Sequence, residues 1–168
     1  MIRPDETEYT AWAKGYVEAV EGSDILEVFP RYTDEFLSLA TTLHGDFSYA
    51  PGKWTVKEVV GHVTDTERIF SYRLLCVARA DQTPFPGFEQ DDYLAVSRFN
   101  ERTLPDLLSE FQAVRQSSLM LIRGLPDDCW SRRGTVSGHS VTPLGLAYQL
   151  TGHERHHYRI LRDRYRVA

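Results

Sequence analysis

Apolar residues recur at intervals of three and four along four long stretches of this chain, the period of helices with one buried face. The first runs from about Asp24 to Leu43, with Ile25, Phe29, Tyr32, Phe36, Leu39 and Leu43 on its stripe. The second runs from about Thr55 to Arg79 and carries Val56, Val59, Val63, Phe70, Leu74 and Val77. Thr55-Val-Lys-Glu58 opens it as a capping box: the threonine oxygen accepts an orphan amide and the glutamate reaches back. The third runs from about Leu104 to Arg123, with Thr103 as N-cap and Pro105 in the first turn, where no amide is needed. The fourth runs from about Pro143 to Arg164. Thr142 caps it and Pro143 presets its first helical φ.

A shorter helix is expected from about Tyr9 to Val20, which makes residues 1–22 an N-terminal helical extension. The longest connection, Ala80 to Asn100, contains Pro84, Pro86 and Gly87, with a short helix expected near Asp91 to Val96. Connections this long in a compact domain often serve as lids or binding walls. Gly134 to Val141 reads as a short turn or extended segment, and no alternating run is long enough to argue a sheet. The expected fold is all-α: one domain over residues 1–168, an antiparallel four-helix bundle with elaborated loops.

With 168 residues the chain suits one domain and can bury a core that folds without help from a metal or disulfide. Its net charge of −5 argues against nucleic acid as a partner, because phosphate binding wants a basic face. The two cysteines, Cys76 and Cys129, make no disulfide framework and suit a reducing cytoplasm. The N-terminus lacks a basic-then-apolar signal pattern, and no apolar run approaches the ~20 residues of a membrane span. The expectation is a cytoplasmic protein with no membrane or nucleic-acid partner.

The candidate chemistry lies in histidines. On the fourth helix Leu146, Leu150, Ile160 and Leu161 define the apolar side, and His153 and His157 fall within it. Arg155, Arg159, Arg162 and Arg166 are expected opposite, facing water. The pair's Cα atoms would stand roughly 6 Å apart, so both rings can converge on one ion with bonds of ~2.0–2.1 Å. Two hydrogen-bonded core histidines are the competing reading. His62, on the shoulder of the second helix's apolar face, is the third candidate ligand. Three histidines from two helices leave an open coordination position, which is where chemistry happens. His156 reads as a surface histidine, His44 and His139 as loop histidines, and both cysteines as packing.

The string His153-Glu154-Arg155-His156-His157 also fits the H-E-x-x-H pattern of zinc proteases. Glu154 lies about 80° around the helix from the midpoint of the pair, which makes it a candidate general base. The extended protease motif fails: Ile160 and Asp163 stand where it needs glycine and histidine, and no sheet is expected to hold a peptide.

Pro51-Gly-Lys-Trp-Thr-Val-Lys-Glu-Val-Val-Gly-His62-Val-Thr-Asp-Thr-Glu-Arg68, followed by His153-Glu-Arg-His-His157, resembles the DinB/YfiT-like superfamily. The resemblance spans about Ile25 to the C-terminus and includes Pro84-Phe-Pro-Gly-Phe88. It implies a four-helix bundle, a homodimer, and one divalent metal ion (zinc, nickel or iron) on His62, His153 and His157. Its characterised members include thiol S-transferases that use bacillithiol or mycothiol, and a mycothiol-dependent isomerase. The leading expectation is therefore a metal-dependent thiol S-transferase, joining a low-molecular-weight thiol to a small electrophilic substrate held against the Ala80–Asn100 loop. Arg73 is expected to face inward, either holding a substrate carboxylate or forming a salt bridge in the bundle. Two alternatives stay open: a metal-dependent hydrolase in which Glu154 or Asp65 shuttles the proton of a metal-bound water, and a non-catalytic binding module.

Overall fold

In the computed structural model, which describes residues 3–166, the periodic stretches become helices bounded by the expected caps. Two 3₁₀ turns, Glu6–Glu8 and Ala11–Ala13, lead into α1 (Lys14–Ala19). The longer helices are α2 (Ile25–Ala40), α3 (Val56–Ala78), α5 (Leu104–Arg123) and α6 (Pro143–Arg164), with α4 (Gln90–Ser97) inside the long connection. The Thr55–Glu58 capping box closes in both directions, at 3.1 and 2.7 Å, and Thr142 accepts from the Gly145 amide at 3.1 Å. α2 ends at Ala40 rather than Leu43, and Leu43 closes a turn back onto the Ala40 carbonyl. Gly134–Val136 (β1) and His139–Val141 (β2) pair as a small antiparallel hairpin, Gly134 opposite Val141. Three-residue strands are too short to leave an alternating signature in the sequence.

The residues that meet fix the helix directions. Tyr148 and Arg155 of α6 meet Ser23 and Glu35 in turn, so α6 runs parallel to α2. Thr33 and Phe36 meet Arg115 and Phe111, so α5 runs against α2. Arg68 and Ser71 meet Glu110 and Ser118, so α3 and α5 are parallel. Phe70 meets His153, while Trp54, before α3, accepts from Tyr165, after α6, so α3 and α6 are antiparallel. α2 and α3 each pack on both α5 and α6. The bundle thus runs up, down, down, up in chain order, with its antiparallel α2/α3 and α5/α6 pairs on the diagonals.

This topology explains the long connection. α3 and α5 point the same way, so the chain must return along the whole of α3, about 34 Å for 23 residues. Phe85 is held on the way by backbone bonds to Thr135 and Ser137 of the hairpin, at 2.9 and 2.8 Å. The return ends where α3 begins, with the Asn100 side chain donating to Glu58 at 2.8 Å.

The interior is divided. One apolar cluster holds Ile25, Phe29, Phe70, Leu74, Ile122 and Leu146; the other holds Phe36, Val56, Val60, Leu107, Phe111 and Leu161. Between them lies a buried polar layer of His62, Glu67, Arg115, His153, Glu154 and His157. The N-terminal segment closes this layer on one side by lying directly on α6. A Cβ at Gly145 would stand 2.0 Å from the Glu8 carbonyl oxygen, and one at Gly152 would stand 1.9 Å from that of Tyr16. Only glycine permits so close a backbone approach.

Candidate metal centre

His62 sits in the second turn of α3, its register set by the capping box, and His153 and His157 sit one turn apart on the antiparallel α6. The ring centroids lie 4.6 Å (His153–His157), 4.9 Å (His62–His157) and 5.0 Å (His62–His153) apart. One ligand atom from each falls within 4.8 Å of the other two. All three rings are buried. Burial, with His156 adding to it, pushes His62 down to about 4. Burial and the neighbouring histidines hold His153 and His157 well below the ordinary histidine range. Neutral imidazole is the form that binds a metal.

Aromatic rings fix these imidazoles. Trp54 stacks on His157 at an interplanar angle of 12° and packs 4.9 Å from His62. Tyr16 and Phe70 meet His153 edge-on at 5.3 and 5.8 Å. Nε2 of His62 and Nε2 of His153 are 3.1 Å apart. Two nitrogens bound tetrahedrally at ~2.05 Å would stand about 3.3 Å apart. Nδ1 of His157 is buried without a hydrogen-bond partner, an unfavourable state for a polar nitrogen. The donor set and spacing therefore fit a three-histidine metal site.

Glu154 is placed differently. Its side chain is fully buried, with Oε2 3.7 Å from Arg115 Nη2. Arg115 in turn donates to Glu67 at 2.8 Å and to Thr33 at 2.9 Å, and its guanidinium lies 3.5 Å over the Phe29 ring. Burial pushes Glu154 up to about 8, against the opposing pull of Arg115. Burial thus favours the protonated carboxyl. Asp65 accepts from Arg68 at 3.2 Å.

Arg155 corrects the helical-wheel expectation that it faces water. It is buried, donates to Glu35 at 2.6 Å, and lies 4.2 Å over the Tyr32 ring. The parallel neighbour α2 supplies both partners, which a wheel of α6 alone does not contain. His156 is exposed beside Tyr16, and His139 lies exposed on β2. Cys129 is buried and Cys76 half-buried, neither in the histidine group. Sequence reasoning overlooked Arg115 and Tyr16, and gave Trp54 and Glu67 no role beyond the motif in which they lie. Arg115 had a signal: it is the lone charge on the α5 stripe of Leu108, Phe111, Ser118, Leu119 and Ile122.

Two cavities large enough for a small molecule reach the histidines among the described residues. One of about 840 Å³ touches His156 and His157 and is bounded by Tyr49, Trp54, Arg98 and Tyr165. One of about 390 Å³ touches His62 and His153 and is bounded by Trp12, Phe70, Arg73 and Phe88. Tyr16 lines both, and Glu154 lines neither.

No curated protein matches the sequence. Among solved structures, YfiT from Bacillus subtilis matches with a TM-score of 0.67 at 18% identity, over 95% of this chain and 89% of its own. YfiT is described as a probable metal-dependent hydrolase with an unusual four-helix bundle topology. At that identity the likeness speaks for the fold. A family model described as the DinB superfamily matches residues 25–161, from the first residue of α2 to the last turn of α6. That span takes in all four bundle helices and all three buried histidines, and by it the chain belongs to the DinB superfamily.

Proposed function

We propose that this chain is a metal-dependent enzyme, a thiol S-transferase whose divalent ion (zinc, nickel or iron) is held by His62, His153 and His157. The observation that carries the transfer reading is the pair of cavities reaching the histidine group by different histidines. Transfer between two organic molecules needs two places that meet at one centre, whereas hydrolysis needs one place and water. The ion supplies Lewis acidity that favours thiolate over thiol, whose free pKa is ~8.5.

The chain's own residues do the rest. Burial keeps the three imidazoles neutral and ready to bind, without proton release. Trp54, Tyr16 and Phe70 pack against the rings and fix their orientations. The thiol takes the larger cavity and the electrophile the smaller. A carbon–sulfur bond forms from the sulfur lone pair as the bond to the leaving group breaks. The leaving group departs with that electron pair, and the thiol proton passes to solvent. Glu154, buried beside Arg115 and lining neither cavity, lies away from both substrates in this scheme.

A second reading, metal-dependent hydrolysis, draws its support from the description of YfiT. Elemental analysis of wild type and His62→Ala tests the common ground: about one metal per chain, lost in the variant, supports the site. Consumption of an electrophile that requires added thiol supports transfer. Turnover without thiol selects hydrolysis, and wild-type protein that takes up no metal sinks both.

A further inference from the structure

Three arginines are buried in this bundle, and two of them hold an acid. Arg115 pairs with Glu67 at 2.8 Å and Arg155 with Glu35 at 2.6 Å. Arg73 is only 4% exposed, yet no carboxylate among the described residues pairs with it. Its Nη2 donates to the Pro86 carbonyl at 2.5 Å, and its guanidinium lies 5.8 and 5.7 Å from the Phe70 and Phe88 ring centroids. A guanidinium stays charged in proteins and presents a fork of N–H donors, of which one carbonyl satisfies few. A buried cation left without an anion is unfavourable unless a ligand completes it. Glu89 and Asp91 stand at the rim of the same cavity, but both are exposed and neither bonds to Arg73.

Arg73 opens into the smaller cavity, the one that touches His62 and His153. Arg73 and His62 stand eleven residues apart on α3, so they share a face, about 16 Å apart along the axis. The cavity's 390 Å³ falls in the range of small-molecule sites, and Trp12, Phe70 and Phe88 give it apolar walls. A molecule that reaches both ends must be elongated, with an anion at one end and its reacting atom at the other.

We propose that Arg73 anchors a carboxylate, so that the electrophile is a carboxylic acid with an aromatic or similarly apolar body. The metal-enzyme reading underlies only what happens at the far end of this molecule. The carboxylate seats on the guanidinium fork, the apolar body lies between Phe70, Phe88 and Trp12, and the reacting carbon faces the histidine group. Neutral electrophiles of the same shape leave Arg73 unpaired and bind more weakly.

Calorimetric titration of the full chain, as purified and after zinc loading, tests this with 4-phenylbutyrate and its amide. Wild type should bind the carboxylate at least about tenfold tighter than the amide, the usual advantage of a charge-assisted hydrogen bond. Arg73→Gln should bind both alike while keeping the wild-type metal content. Arg73→Lys keeps the charge but loses the fork, and should retain a reduced preference. This second variant carries the test if the first does not fold. Equal affinity in wild type, no binding of either probe, or a preference untouched by either substitution overturns the proposal. A carboxylate preference in protein that takes up no metal would leave the anchor standing and remove the metal reading.

Discussion

Glu154→Gln should stabilise this protein, and by more as the pH rises. The wild-type carboxyl is fully buried, and burial raises it from its ordinary 4.5 to about 8. Between those values the native state keeps a proton that the unfolded chain gives up. Native stability therefore falls as pH rises through that window. A tenfold change in proton affinity between the two states corresponds to about 1.4 kcal/mol, so the loss is under about 1 kcal/mol at pH 5 and on the order of 3 kcal/mol at pH 7. Glutamine keeps the shape and has no proton to lose. The histidines act in the opposite sense. His62, lowered from 6.5 to about 4, makes the native state lose stability as pH falls below 6.5, because the unfolded chain takes up the proton first. That contribution is common to wild type and variant and cancels in their difference. Urea unfolding of chelator-treated protein, followed by circular dichroism at pH 5, 7 and 8, should show the variant's advantage growing by roughly 3 kcal/mol across the range. A difference that stays flat with pH, or a variant less stable throughout, would refute a neutral buried Glu154 and point to an ionised carboxylate held by Arg115.

His157→Ala should abolish metal uptake while leaving helix content intact, since the core folds without the ion. Unfolding seen by circular dichroism would mean that the centre is structural. Metal should also stay bound near pH 6, where ordinary histidines begin to protonate, because burial holds all three rings neutral there. Loss of metal at pH 6 in a dialysis series would contradict that. Gly152→Ala places a Cβ 1.9 Å from the Tyr16 carbonyl oxygen and should cost about 1–3 kcal/mol in urea unfolding. It should also raise hydrogen exchange in residues 14–19; wild-type protection there would mean that α1 does not depend on this approach.

The helices and the inward-facing histidines were legible in the order of residues alone. Caps and spacing act within a few residues, so Thr55, Thr103 and Thr142 could be read as helix starts, and the spacing of His153 and His157 as one inward face. The DinB superfamily match and the buried group of His62, His153 and His157 agree with that local reading. It failed where a partner comes from elsewhere in the chain. Arg155 reads as solvent-facing until α2 runs parallel beside it and supplies Glu35 and Tyr32. That the buried Glu154 faces Arg115 likewise depends on the α5 stripe, which a local window on α6 does not contain. Arg73 carried two readings, and it took the packed bundle to show that no acid in the described chain meets it. The length of the Ala80–Asn100 connection was plain in the sequence, but its cause is that α3 and α5 point the same way. Helix direction and pairing arise from burying stripes against one another, a property of the whole bundle that no local window contains.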